Sequence, residues 1–342
     1  MSRIRITVAG AGAMGLTAAL ALAEAGCEVA VFDPAPPLAN ASGVAAGMLA
    51  PAFEAALDPT RDQAFDLLLA GRDLWPGLEA RLGLSLDRAG AIAVGAPQFL
   101  STTDTALRRL GLYPNAIGRN TLAQLSPGLS PEWREGLLVR EDWRLDPAQA
   151  LSALRRAAAD LGVSFHARAA TGFEGADRLV VATGAATDLA VMAPSLSLLQ
   201  PIKGQLVRIN DPLARGAVVR TEGVYAAPSA TGLVLGATME PGRADLDIDP
   251  AAIETLRARG AKLFPRLADA LDVQAQAGVR AASPDGLPLV GRGRHHGVLL
   301  AVGARRNGWL LAPLAARIIA ACVTGRDAGP YAARLDPGRF AA

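Results

Sequence analysis

Residues 3–33 read RIRITVAGAGAMGLTAALALAEAGCEVAVFD, and this stretch decides the fold. Residues 3–9 alternate and then turn apolar, which predicts a buried strand. Gly10, Gly12 and Gly15 follow in the pattern G-x-G-x-x-G, with Ala11, Ala13 and Met14 between them. The first glycine allows a tight turn, and the second lets backbone approach a pyrophosphate. The third lets a helix pack on the strand. Residues 16–25 are helix formers, Gly26 stops them, and residues 28–32 make a second strand. A strand–helix–strand unit of about 30 residues is what a parallel crossover requires. The helix start offers free N–H groups and a positive dipole end to an anion. Asp33 closes the second strand, where a carboxylate accepts hydrogen bonds from ribose hydroxyls. A glycine triplet alone would also fit a glycine-rich turn in another α/β fold. Strand, triplet, helix, strand and acid in order predict a dinucleotide site. The acid argues against the 2′-phosphate of NADP, and this stretch leaves FAD and NAD both open.

The remainder bounds the class. A chain of 342 residues suggests about two domains. With 51% hydrophobic and 19% charged residues, wholesale disorder is excluded. Aromatics are only 4%, so the core must be Ala, Val, Leu and Ile. Net charge is +2 and the arginine pairs are too short for a nucleic-acid patch. Cys27 and Cys322 lack metal-ligand spacing, and three histidines leave little room for a metal centre or a Ser-His-Asp triad. No metal is expected. No apolar run reaches the roughly 20 uninterrupted residues of a membrane span. Met1-Ser2-Arg3 runs straight into the first strand, so no signal peptide is expected, and the setting reads as cytoplasmic.

Residues 40–51 are small and Gly-rich, reading as a loop and helix start packed close to something. Helices are expected over 60–82 apart from Pro76, and over 101–112, 147–161, 250–264 and 308–324, with strands over 86–95, 163–170 and 178–184. Residues 126–136 read as loop. The segments KGQLVRI, AVVRT, GVYAAPS and GLVLGATM within 200–240 read as antiparallel strands, with short strands at 273–280, 288–291 and 297–303. The fold class is α/β (α+β overall): a Rossmann-type unit with an antiparallel-sheet domain.

Six later segments carry a resemblance: NASGVAAGML at 40–49, LVVATGA at 179–185, PIKGQ at 201–205, LVLGATME at 233–240, RAASPDGLPLVG at 280–291 and GARRNGWLLAP at 303–313. In this order, across nearly the whole chain, they resemble the D-amino-acid oxidase family of FAD-dependent oxidoreductases. Within it the GATM and RNG segments are most similar to the glycine oxidases of thiamine biosynthesis. A classical NAD dehydrogenase would leave these segments without a role.

The resemblance implies non-covalent FAD, with adenosine on the Rossmann unit and flavin facing the antiparallel sheet. It implies a discontinuous FAD-binding domain (1–83, 141–195, 276–330) and a substrate domain (84–140, 196–275). The reaction implied is oxidation of a small amine or amino acid, glycine first. Hydride leaves Cα for flavin N5, an imine forms, and O2 or another acceptor takes the electrons, with O2 giving H2O2. A homotetramer is implied as well.

Residue by residue, Arg280 matches the carboxylate-binding arginine. A planar guanidinium suits that role because two parallel hydrogen bonds fix angle and distance. Pairing with Asp285 or a carbonyl is the structural alternative. Arg306 matches a second arginine beside the flavin, and adjacent Arg305 leaves open which of the two faces inward. Tyr225 matches the active-site tyrosine, and Met48 and Met239 match pocket-wall methionines. An ordinary sheet tyrosine and core-filling methionines are the alternatives. Cofactor contacts are expected from Gly10, Ala11, Gly12, Ala13, Met14, Gly15 and Asp33, then from Ser42, Gly43, Ala46, Gly47 and Met48. Ala170 is expected against adenine, with Thr183, Gly184 and Ala185 near the cofactor. Gly303, Arg306, Asn307, Gly308, Trp309 and Leu310 place the last helix start at the flavin, where its dipole would stabilise negative charge.

Two departures touch the pocket. Ala304-Arg305 stands where His-Phe is usual, and Ala227-Pro228-Ser229 where Val-Pro-Arg or Val-Pro-Lys is usual. They leave open D-amino-acid dehydrogenase or oxidase, sarcosine-type and opine-type activities. A non-catalytic flavoprotein subunit is the reading from another class.

Overall fold

The computed structural model describes residues 3–58 and 64–340. Strand β1 (Arg5–Ala9), helix α1 (Ala13–Glu24) and strand β2 (Glu28–Phe32) form the expected crossover, with β1 and β2 parallel. They sit in a six-stranded sheet ordered Leu289–Arg292, Val298–Val302, Arg178–Val181, β1, β2, Ser164–His166. Only the first pair is antiparallel. Ile6 to Ala9 are all buried, as befits a strand covered on both faces. Helix α1 packs along the last long helix, Gly308–Thr324, and both are almost wholly apolar. A Cβ on Gly15 would collide with the Gly10 carbonyl and lie 3.3 Å from the Ala182 methyl. The third glycine therefore serves helix–strand packing.

The small-residue stretch resolves into helix α2 (Ala41–Val44), strand β3 (Met48–Leu49) and helix α3 (Pro51–Ala56). Asn40 caps α2, its Oδ1 accepting from Gly43 N at 3.0 Å.

A second, nine-stranded sheet is built from residues 91–139 and 200–282. Its long central strand, Gln200–Asn210, pairs antiparallel with Val273–Ala282 and with Gly232–Gly236. Residues 276–282 thus lie in this sheet. One pairing is not antiparallel. Val218–Thr221 runs parallel to Ala91–Ala93, so the sheet is mixed. These strands are far apart in sequence, which gives the chain the long crossover a parallel pair needs.

Other expectations shift locally. Of the helix read at 60–82, residues 60–63 lie outside the described residues. The remainder is two helices, Phe65–Asp73 and Trp75–Leu82, broken where Pro76 lacks an N–H. The strand at 86–95 shortens to Ala91–Ala93. The helix at 101–112 spans Pro97–Arg109, because a proline at the first position starts a helix well. Among the described residues no helix is long and apolar enough to cross a membrane.

Gly15→Ala is expected to lower unfolding free energy by roughly 1–3 kcal/mol through overpacking. Gly77→Ala, whose Cβ meets no atom within 4 Å, should raise it by roughly 0.4–1 kcal/mol. Urea unfolding of both variants checks the pair. Equal effects would refute the close helix–strand approach.

Candidate active site

A cavity of about 600 Å³ opens between the two sheets, within the usual size range of small-molecule sites. At one end stand Gly10, Gly12, Ala13, Met14 and Asp33, with Ser42, Ala46, Gly47 and Met48 beside them. Ala170, Thr183, Gly184 and Ala185 line the same end. Gly10 has φ +112°, and a side chain there would strike the Ala182 carbonyl. Gly12 starts α1, and Ser42 Oγ accepts from Ala13 N at 3.0 Å. Asp33 does more than face a ribose: its oxygens accept from Ala11 N at 2.6 Å and Ala35 N at 2.8 Å. The carboxylate therefore also shapes the glycine turn. A bare glycine turn, an open helix start and a carboxylate in one groove fit an extended dinucleotide.

Four expected contacts do not line the cavity. Ala11 is turned to Asp33, Gly15 lies under the helix, Gly43 packs on the Leu38 backbone, and Leu310 is fully buried in the core. Gly303, Asn307, Gly308 and Trp309 do line it. Trp309 is also a brace, its Nε1 donating to Ser42 O at 3.0 Å while its carbonyl accepts from Trp75 Nε1 at 3.1 Å.

Strand alternation builds the other end. In PIKGQ, Gly204 faces the cavity, whereas Lys203 pairs with Asp245 and Gln205 with Glu240. A Cβ on Gly204 would occupy the Arg280 guanidinium, and one on Gly236 the Tyr225 hydroxyl. Two bare strand positions thus make room for the two functional side chains. Among the described residues Arg280 makes one hydrogen bond, a long one to Thr238 O at 3.4 Å, and no ion pair. Asp285, its alternative partner, is taken by Arg339 and Ser283. Burial pulls the Arg280 guanidinium below its ordinary pKa, and Arg306 and Arg305 push the same way against Tyr225 and Glu54. Burial raises the Tyr225 phenol, with Arg280, Arg220 and Arg208 opposing, so it stays protonated.

Arg305 and Arg306 both line the cavity, and both are paired with acids. Arg306 Nε lies 3.0 Å from Glu54 Oε2, and its Nη2 lies 3.2 Å from Asp58 Oδ2. Arg305 Nη1 reaches the same Asp58 oxygen at 2.5 Å. Glu54 Oε1 also lies 3.6 Å from Arg220 Nη1. The sulfurs of Met48 and Met239 sit beside Arg220 (3.3 Å) and Arg305 (3.6 Å). Glu54, Asp58 and Arg220 are residues that sequence reasoning missed. Their signal was a single acid in the apolar PAFEAAL and a single arginine in AVVRT. Arg208 was missed too. It reaches from the second sheet to Val44 O at 2.9 Å and to Gln276 Oε1 at 2.8 Å. The three histidines are exposed, with His166 stacked on Phe32.

A Rossmann unit at one end of a deep cavity and an arginine-bearing sheet at the other define a flavin-dependent oxidoreductase. The family model for FAD dependent oxidoreductases (DAO) matches residues 5–322, and the chain belongs to that family. It is 29% identical to the glycine oxidase of Geobacillus kaustophilus over 96% of both chains. The crystal structure of glycine oxidase from that organism superposes with a TM-score of 0.84, at 25% identity, covering 99% of this chain and 100% of that one. It is also 29% identical to the bifunctional protein ThiO/ThiG of Trichormus variabilis, over 98% of this chain and 55% of that protein.

Behind α3 lies Asp142, fully buried, accepting from Ala52 N at 2.8 Å and Phe53 N at 3.2 Å. Desolvation raises its pKa to about 7, against the pull of Arg220 and the two amides. In the unfolded chain it titrates near 4. The folded state therefore binds more protons between these values. Its contribution to stability is full below about pH 4 and is lost as pH rises through about 7. Asp142→Asn should flatten the fall in stability between pH 5 and 8, measured by urea unfolding. An unchanged slope would show that Asp142 is ionised throughout.

Proposed function

We propose that the chain oxidises the amine of a small amino acid, glycine in the first place. The observation that carries this is Arg280: a half-buried guanidinium on the cavity wall that has no acid partner among the described residues. A cation held in a partly enclosed wall favours an anion beside it, and a carboxylate matches its fork. The protonated Tyr225 hydroxyl beside it can donate to the same carboxylate. Met48 and Met239 wall the space beyond, leaving room for a small substituent at Cα. Among the described residues Arg280, Arg220, Arg305 and Arg306 outnumber Glu54 and Asp58 around this end, which disfavours a bound ammonium and favours the neutral amine. The neutral amine is the reactive form, since its lone pair must become the second bond of C=N. Loss of the Cα hydrogen with its electron pair, and of one N–H proton, gives the imine. Water then hydrolyses it to a carbonyl compound and ammonia. Bound FAD supplies the two-electron acceptor and passes the electrons to O2, giving H2O2, or to another acceptor.

The residues that would hold FAD are Gly10, Gly12, Ala13, Asp33, Ser42, Thr183 and the turn into the last helix at Asn307–Gly308. No cysteine or histidine is among the described residues of the cavity wall, which supports non-covalent attachment. Acid precipitation should leave the yellow colour in the supernatant. Colour in the pellet would overturn this.

Anaerobic glycine should bleach the visible spectrum of the purified protein, and air should restore it if O2 is the acceptor. Arg280→Lys should raise the KM for glycine roughly 10- to 100-fold by replacing a bidentate contact with a point charge. A spectrum that glycine, sarcosine and D-alanine all leave unchanged would sink the amino-acid reading.

A further inference from the structure

The departure at Ala304-Arg305 is not used by glycine chemistry, yet the Arg305 guanidinium stands on the cavity wall. Its backbone is held at φ +52°, with its N–H donating to Ala281 O at 2.7 Å, in the strand that carries Arg280. The ion pairs at this end form an alternating chain: Arg220, Glu54, Arg306, Asp58, Arg305. Among the described residues it holds three cations and two anions, with a guanidinium at either end. The inner end, Arg220, is buried with its Nη2 on the Met48 sulfur. At the other end, among the described residues, Arg305 Nη2 has only the sulfur of the exposed Met239, a weak acceptor. Arg280 contacts Thr238 and Arg305 contacts Met239, so the two guanidinium groups flank consecutive residues. Both guanidinium groups line the same cavity, and the charge of Arg305 is felt at Arg280, where it opposes the protonated form.

We propose that Arg305 is a specificity-determining residue that binds a second carboxylate, making the preferred substrate an amine with two carboxylates on short arms, such as an N-carboxymethyl amino acid. This rests on the reading that Arg280 holds the first carboxylate. Arg305 has the free donor edge, the thioether of Met239 can move aside, and the second anion neutralises the charge that a monocarboxylate leaves over.

The FAD-loaded protein tests this with two matched pairs that differ by one carboxylate: iminodiacetate and sarcosine as substrates, and their unreactive ether analogues diglycolate and methoxyacetate as ligands. Binding of the ethers is read from the perturbed flavin absorbance. Diglycolate is expected to bind at least tenfold more tightly than methoxyacetate, and kcat/KM should favour iminodiacetate over sarcosine by a similar factor. Arg305→Gln should narrow both ratios below threefold, and Arg305→Lys should keep most of the preference. Equal binding of the two ethers by the unaltered protein would overturn the proposal. So would an Arg305→Gln variant that weakens both ethers in the same proportion, which would mark a structural role. Methoxyacetate binding that survives in Arg280→Leu would defeat the underlying amino-acid reading and this inference with it. If Arg280→Leu loses methoxyacetate but the ether ratio is flat, this inference alone fails.

Discussion

Holding a half-buried guanidinium on the cavity wall, with no acid beside it among the described residues, is the constraint around which this molecule is arranged. An uncompensated buried cation costs several kcal/mol even after relaxation. The fold tolerates Arg280 because the strand opposite offers Gly204, whose missing side chain leaves the guanidinium a berth. The strand carrying Gly236 does the same for Tyr225. Each neighbouring arginine, by contrast, is given an acid. Glu54 and Asp58, at the end of one short helix, hold Arg220, Arg306 and Arg305 in fixed positions. Arg280 is left to wait for an anion, and the other three are held in place around it by acids.

The dinucleotide end was legible in the sequence because its grammar is local. Turn, helix start and strand end all fall between Gly10 and Asp33, and backbone geometry dictates each residue type. The same holds for the last helix, read at 308–324 and found as Gly308–Thr324. Long range was harder. Nothing near Ala91 or Val218 announces that these strands run side by side in parallel, since that pairing depends on where the intervening chain goes. Proline placement was legible in kind but not in position. Pro97 starts its helix earlier than the apolar spacing suggested, whereas the exception read at Pro76 falls where one helix gives way to the next.

The candidate site divides the same way. Arg280, Tyr225, Met48 and Met239 could be singled out because short motifs carry them, and the fold gathers them at one cavity. Glu54, Arg220 and Arg208 could not, because their significance lies in partners at distant positions. A lone acid in an apolar helix has no meaning until Arg306 arrives from the other end of the chain. Leu310 shows the opposite limit: a motif includes residues that serve the core, and only packing tells them apart.

Arg208 has a consequence for how the molecule holds together. It is rooted in the second sheet, yet it grips the carbonyl of Val44, in the segment that shapes the dinucleotide groove, while Ser42 in that segment supports both α1 and Trp309. Any ligand that orders residues 40–48 therefore also stiffens the second sheet, through Arg208 and through the packing of Ala41–Val44 beside Gly278 and of Ala46 in one cluster with Leu206. Cofactor occupancy becomes, by mass action, a term in the cooperativity of the whole chain. Loss of FAD would loosen the substrate face as well as the dinucleotide groove, although Arg208 does not itself line the cavity.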